Sequence, residues 1–256
     1  MAFIVGYRID RREEQKVMKD KFDLLEDRLL QWGFSLNEEQ KDKFSDYYDL
    51  LIEWNQVMNL TAITEFDEVV EKHFLDSISL AAYIKLNEHW KIIDVGTGAG
   101  FPGIPLKIMF PGLCVLLADS LNKRVRFLNV VIDKLKLNHI EAVHCRAEEL
   151  AHKHEYREQY DLCVSRAVAN LSSLSEYCLP YVKEGGMFAA YKSAGIEKEI
   201  EESKNAVKLL GGKLRKVMQF QLADTEYLRS FVLIDKVKHT PNKYPRKAGT
   251  PVKDPL

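Results

Sequence analysis

Between one acid and a helix start, glycine recurs at every second position: Asp94-Val95-Gly96-Thr97-Gly98-Ala99-Gly100-Phe101-Pro102-Gly103-Ile104-Pro105. Glycine permits positive φ and puts no Cβ in the way, so such a loop can approach a ligand closely. Asp119 ends the next apolar run, about 20 residues on, where a carboxylate can accept hydrogen bonds from ribose hydroxyls; Ser120 follows it. Arg146-Ala147-Glu148 ends a third apolar segment. A small residue followed by an acid would seat a flat base, although two acids there also suit an ordinary helix start. Arg166 ends a fourth segment and Lys192 follows a fifth, so Arg146, Arg166 and Lys192 form a candidate positive crescent on one sheet edge. Lys123 and Arg124 open a helix after Asp119, either as a solvated turn or as ligand contacts.

Two cofactor readings fit the loop. Gly98, Gly100 and Gly103 match the dinucleotide spacing G-x-G-x-x-G, while Asp94 with Gly96, Gly98 and Gly100 matches the pattern of S-adenosylmethionine (SAM) enzymes. Asp94 favours SAM, because a carboxylate there pairs with a cationic amino group and repels a pyrophosphate. A plain tight turn is the third possibility.

These residues need a scaffold, and the hydrophobic pattern predicts an α/β one. Strands are predicted at Lys91–Val95, Cys114–Ala118, Glu141–His144, Asp161–Ser165 and Met187–Tyr191, with helical runs at Ile104–Phe110, Asn122–Leu137, Leu171–Val182 and Glu197–Leu210. Val217–Leu222 and Ser230–Val237 have no helix between them and read as a hairpin. Five crossover strands plus a hairpin meet the requirements of a class I methyltransferase: a Rossmann-like, seven-stranded, mostly parallel sheet with a C-terminal antiparallel hairpin. Before the sheet comes a helical cap. Its runs are Val17–Trp32, a helix opened by the Asn37/Gln40 capping box, and one from about Glu68 to Tyr83 that holds His73, Phe74, Asp76 and Ser77.

Composition narrows the class. With 256 residues, 46% of them hydrophobic, the chain can bury one sizeable α/β core. The net charge of -1 is unevenly spread: Lys204 to Leu256 holds twelve Lys/Arg against four Asp/Glu, a basic third that suggests either a polyanion-facing surface or a solvated tail. The four cysteines are scattered, with no C-x-x-C pair and no Cys/His cluster, so reduced thiols in a cytoplasmic protein are expected and no metal site. No apolar run is long enough to span a membrane. Residues 1–17 lack helical periodicity and read as a non-native or disordered extension, with a native start expected at Met18. The four prolines of residues 239–256 predict a tail without regular structure.

With these residues in place, the chain from about residue 18 onward resembles the glucose-inhibited division protein B family. These proteins, also called RsmG, are bacterial guanine-N7 methyltransferases of 16S ribosomal RNA. The likeness lies in Trp54-Asn55 with Asn59-Leu60-Thr61, His73-Phe74-Leu75-Asp76-Ser77, Asp94 through Pro105, and Asp119-Ser120 with Lys123-Arg124. Arg146-Ala147-Glu148, Ser165-Arg166-Ala167-Val168 and Tyr244-Pro245-Arg246-Lys247 complete it. Ser193-Ala194 departs from it, since many relatives have glycine there.

The order of the predicted elements divides the chain into a helical cap (18–85), a SAM-binding methyltransferase domain (86–238) and a basic tail (239–256). The resemblance implies a SAM pocket of Gly96, Gly98, Phe101, Asp119, Ala147, Glu148 and Arg166, to which the loop reading adds Asp94, Gly100 and Ser120. Asn59, His73, Asp76, Arg146 and Lys192 are implied to face RNA or the target guanine, with Arg166 the main catalytic candidate. Lys123, Arg124, Arg246 and Lys247 are candidate RNA contacts. The implied partner is 16S ribosomal RNA or the small subunit, with no membrane and no obligate protein partner. Three other readings share some of these features: a class I methyltransferase for another RNA, a protein or a small molecule; a nicotinamide-dependent oxidoreductase; and an RNA-binding protein with a relic pocket.

Overall fold

A computed structural model describes residues 22–166, 169–222 and 225–256. The expected extension 1–17, the start at Met18 and the Ala167-Val168 pair lie outside the described residues. Seven strands form one sheet: β1 (Lys91–Val95), β2 (Cys114–Asp119), β3 (Ile140–His144), β4 (Tyr160–Arg166), β5 (Val182–Ser193), β6 (Gly212–Gln221) and β7 (Leu228–Lys236), in the order β3-β2-β1-β4-β5-β7-β6. The first five are parallel, while β7 runs antiparallel to both β5 and β6. Strand order reverses between β1 and β4, which makes the carboxyl ends of these two strands the crevice of the sheet.

Two strands are longer than the sequence predicts by four residues or more. Strand β5 begins at Val182 and passes through exposed Lys183, Glu184 and Gly185 before buried Gly186, where no apolar alternation marks it. Edge strand β6 begins at Gly212 through exposed Lys213, Leu214, Arg215 and Lys216. Charges on an edge block pairing with another chain, and they also hide the strand from a search for apolar runs.

The cap opens with α1 (Asp23–Leu30) and α2 (Glu38–Met58). Both bonds of the expected capping box at α2 are formed, Gln40 N to Asn37 Oδ1 (2.9 Å) and Asn37 N to Gln40 Oε1 (3.0 Å). The third helix departs from regular geometry: α3 (Phe66–Val69) passes into a π-helical turn (Val70–Leu75), then α4 (Asp76–Ile78) and a 3-10 turn (Ser79–Ala82). The widened turn holds His73, and such turns often mark functional positions. Cap and sheet share one core, in which Phe22, Phe44, Tyr47 and Phe74 join Ile92, Ile104 and Phe127. The other sheet face packs against α8 (Leu171–Cys178) and α9 (Glu197–Leu209), and residues of both join its core. Helices α5 (Gly103–Met109), α6 (Asn122–Lys134) and the short α7 (Ala147–Leu150) complete the crossovers.

The expectation of an irregular tail is corrected. Residues 239–256 fold back onto the domain and include a short helix, α10 (Thr250–Lys253), with Tyr244 and Pro251 buried. Bonds from side chains to main-chain oxygens hold the tail: Arg157 Nη2 to Thr240 O (2.7 Å), Arg157 Nη1 to Tyr244 O (3.0 Å) and Ser173 Oγ to Pro251 O (2.5 Å). Order that depends on polar contacts of this kind leaves no periodic apolar signal.

The cap also fixes the glycine loop. Buried Tyr47 on α2 donates its hydroxyl to Ala99 O at 2.5 Å, and Gln40 Nε2 bonds Ile108 O and Met109 O at the end of α5. Tyr47→Phe keeps the ring and leaves that carbonyl without its partner. The expected cost is about 1–2 kcal/mol in denaturant unfolding, with faster amide exchange at residues 98–101.

Candidate functional site

The loop between β1 and α5 is bent by three left-handed glycines, Gly96 (φ 72), Gly98 (φ 64) and Gly100 (φ 102). Gly103, the first residue of α5, lets the helix approach the sheet: a Cβ there would fall 2.4 Å from Leu117 Cδ2 and 2.9 Å from Asp94 Oδ2. A Cβ on Gly98 would meet nothing within 4 Å, so this glycine faces open space.

Asp94 is fully buried beneath the loop. Its Oδ2 accepts from Thr97 Oγ1 (2.7 Å) and Gly103 N (2.8 Å), while Oδ1 has no partner among the described residues. Burial pushes its carboxyl up to about 7, partly offset by the two bonds and by the charge of Arg166. A buried oxygen without a donor is an acceptor for something the chain does not supply. Asp119, at the end of β2, holds the loop from the other side, taking Gly98 N (2.9 Å) on Oδ2 and Leu121 N (2.9 Å) on Oδ1. Arg124 Nη1 lies 3.4 Å from the same carboxylate.

A cavity of about 270 Å³ opens here, lined by Gly96, Asp119, Ser120, Arg146, Ala147 and Glu148 among others. A larger one, about 740 Å³, is lined by Lys72, His73, Asp76, Arg166, Lys192 and Arg229 among others. Between loop and larger cavity stands Phe101, stacked on His73 with ring centres 4.5 Å apart, while the Arg166 guanidinium lies 5.1 Å from its centre.

Arg166 points into the cap. It donates to Lys72 O (2.9 Å), to Asp76 Oδ2 (2.8 Å) and toward His73 Nδ1 (3.2 Å). Asp76 is buried, and its other oxygen takes Arg229 Nε at 2.9 Å. His73 Nε2 lies 2.8 Å from Thr61 Oγ1. Nδ1 also lies 3.1 Å from Lys72 O, so it faces both a guanidinium and a carbonyl. Burial, and then the charge of Arg166, pull the imidazole down to about 3, so it is neutral near pH 7.

The remaining candidates are spread more widely. Lys192 Nζ is paired with Glu199 Oε1 (2.5 Å) and Ala169 O (2.6 Å), so two of the three crescent cations are already neutralised. Arg146 is exposed at the smaller cavity. Asn59 is exposed and caps α2 in the left-handed conformation (φ 49); Asn55 Oδ1 takes Thr61 N (2.9 Å) and so holds the loop that meets His73. Lys123 is exposed, bonded to Met58 O (3.2 Å), and Lys247 is exposed on the tail. Arg246 is drawn inward: its Nη2 lies 2.8 Å from Oε2 of the fully buried Glu176, and its Nη1 lies 3.2 Å from Asp254 Oδ2.

Sequence reasoning missed Arg229, Lys72, Glu199 and Tyr227 in the larger cavity. A signal existed for Arg229. An antiparallel strand brings its first residues, not its last, to the ligand edge, and Arg229 pairs with Ser193 at the end of β5. Among the described residues no group of His, Cys, Asp or Glu could hold a metal ion, and no helix is long and apolar enough to cross a membrane.

Residues 40–228 match the GidB family, described as rRNA small subunit methyltransferase G. The ribosomal RNA small subunit methyltransferase G of Lachnoclostridium phytofermentans is 54% identical over 224 residues, covering 88% of this chain and 93% of that protein. The protein of the same name from Clostridium tetani is 48% identical, covering 92% and 98%. Among solved structures, M. jannaschii TYW2 in complex with AdoMet shares the fold at 16% identity (TM-score 0.52), covering 69% of this chain and 80% of that one.

The His73 environment gives a direct check. Its ring resonances should show a neutral imidazole from pH 8 down to pH 5; a ring titrating near 6.5, the ordinary histidine value, would contradict this. Because its folded value lies below the ordinary one, His73 favours the folded state above about 6.5, and that contribution falls away as pH drops toward 3.

Proposed function

The chain belongs to the GidB family of rRNA small subunit methyltransferase G proteins, and from that membership we propose that it transfers a methyl group from SAM to N7 of a guanine in 16S ribosomal RNA. The observation that carries this reading is a pair of cavities at the ligand edge, one lined by Gly96, Asp119 and Glu148 and the other walled by arginine and lysine, with the loop residue Phe101 stacked on His73 of the latter.

The residues present fit SAM. Asp94 Oδ1 offers a buried acceptor for a cationic amino group, and Gly98 leaves room above the loop. Asp119 and Glu148 place carboxylates around the smaller cavity, where a nucleoside would find acceptors for its polar edges. When bound, the sulfonium donor supplies an electrophilic methyl group, and guanine N7 has a lone pair and no proton to lose. No residue of the chain therefore has to act as a base. His73, neutral and stacked on Phe101, links the glycine loop to the larger cavity. Arg166, held by Asp76 and Lys72 O, fixes the same side of that cavity from the end of β4. Alignment of two reactants in such a site can contribute about 7–11 kcal/mol at best. The charge of Asp76 is shared by Arg166 and Arg229, so its first role is positioning.

Exposed Arg146, Lys123 and Lys247 are available to phosphates, and binding through them would weaken steeply with salt. A guanine within a stem has to be extruded to enter the larger cavity.

Mapping 7-methylguanosine in 16S RNA from cells with and without the gene tests the assignment: one site should lose the modification, and an unchanged map would refute it. Arg166→Ala is expected to lower kcat/KM by at least about 100-fold. His73→Ala should lose less than about 100-fold, below the usual cost of removing a general base. Asp94 adds a pH signature. Its folded value is raised, so in the unliganded protein it favours folding at low pH, and that contribution is lost as pH rises through about 7. SAM affinity should accordingly increase between pH 6 and 7.5 as the carboxyl ionises, and Asp94→Asn should flatten the dependence in calorimetry.

A further inference from the structure

The smaller cavity has a wall that neither the glycine loop nor the strand ends supply. Gly249 and Val252, from the C-terminal segment, line it beside Arg146, Glu148 and Tyr177. Gly249 N donates to Glu148 Oε1 at 2.9 Å, so the segment also fixes one oxygen of a carboxylate in the cavity. Gly249 is left-handed (φ 80), and a Cβ there would meet nothing within 4 Å.

The segment is anchored on both sides of this point. Before it, Arg246 engages buried Glu176 through its main-chain N (2.7 Å), Nε (3.0 Å) and Nη2 (2.8 Å). After it, Ser173 Oγ donates to Pro251 O (2.5 Å) and Ser172 Oγ to Leu256 O (2.9 Å). A desolvated, forked Arg–carboxylate pair is strong and directional, so the backbone from 246 to 256 has a fixed place. Within this fixed segment Val252 remains 57% exposed. A lone exposed aliphatic residue is ordinary on a surface. This one lines a cavity, on an anchored backbone, beside a carboxylate that the same segment orients.

We propose that the C-terminal segment is the outer wall of the nucleoside pocket, with Val252 packing on the apolar face of the donor's adenine ring and Gly249 holding Glu148 in orientation. The inference rests on the SAM reading above. It gives Arg246 a part in donor affinity, as a positioning residue that acts through the segment, in place of an RNA contact.

The test compares the unaltered protein with Val252→Ser, Val252→Leu and Lys247→Ala. Affinity for SAM and for S-adenosylhomocysteine is measured by calorimetry, the unliganded thermal midpoint by scanning, and kcat at saturating donor by RNA methylation. Val252→Ser should bind both ligands on the order of five- to tenfold more weakly, the effect of losing one to two buried methyl groups. Its unliganded midpoint and saturated kcat should not fall, Val252→Leu should restore affinity, and Lys247→Ala should bind like the unaltered protein. If the unaltered protein binds neither ligand, the SAM reading fails and this inference with it. If the unaltered protein binds and Val252→Ser binds equally well, only the wall is overturned. A lower unliganded midpoint accompanying the weaker binding would also overturn it, because Val252 would then act through the fold.

Discussion

One buried carboxylate ties three parts of the molecule together at the ligand edge. Asp76, on the cap, takes Arg166 from the end of β4 on one oxygen and Arg229 from the start of β7 on the other. Removing Asp76 would leave two guanidinium groups without their shared carboxylate in a poorly solvated place, a loss that for a buried pair typically costs about 3–5 kcal/mol. The cap, the parallel strands and the hairpin therefore cannot shift independently near the larger cavity. Arg166 passes the constraint on: its remaining contacts reach Lys72 O and His73, and its guanidinium lies near the Phe101 ring.

The same pairing changes the electrostatic character of the site. A row of strand-end cations reads in sequence as a bare positive crescent, yet Arg166 is matched by Asp76, Lys192 by Glu199 and Lys72 by Glu68. The larger cavity is thus lined by alternating donors and acceptors with little uncompensated charge. Such a lining suits a neutral base with both kinds of group on its edges. On the proposed function, phosphates would be left to exposed cations outside it, Arg146, Lys123 and Lys247 among them. The division follows the general logic of RNA recognition, in which backbone contacts position and contacts to splayed bases discriminate.

How far the sequence was legible follows from what kind of force holds each part. Strands β1 to β4 and helices α5 and α6 are fixed by apolar runs and glycine punctuation, and their expected bounds differ from the observed ones by one residue or less, apart from the C-terminal end of α6; the short α7 was not among the expected helical runs. The loop residues Asp94, Gly96, Gly98 and Gly100 could be placed for the same reason. Parts held by polar contacts were not legible. The tail is ordered by Arg157, Arg246 and Ser173, each bonded to residues or carbonyls far away in sequence. The π-helical turn at Val70–Leu75 has the same apolar spacing as a regular helix would show, so only the packing of His73 and Phe74 reveals it. Arg229 was passed over because its strand runs the opposite way to its neighbours.

The cap and the glycine loop also cannot be treated as lid and pocket. Tyr47 bonds Ala99 O and lies 5.5 Å, centre to centre, from the Phe101 ring, so an α2 side chain sets the loop that would receive the donor. His73, on the same cap, stacks on the other neighbour of that loop's conformation, Phe101, and reaches Thr61 beside the exposed Asn59 turn. Any ligand that moves the cap surface must therefore act on the loop, and any ligand that settles the loop must act on the cap. Coupling of this kind is reciprocal by thermodynamic necessity: if RNA tightens the donor site, the donor tightens RNA binding by the same factor. The physical link is short, Thr61 to His73 to Phe101, and each step is a direct contact between buried or half-buried groups.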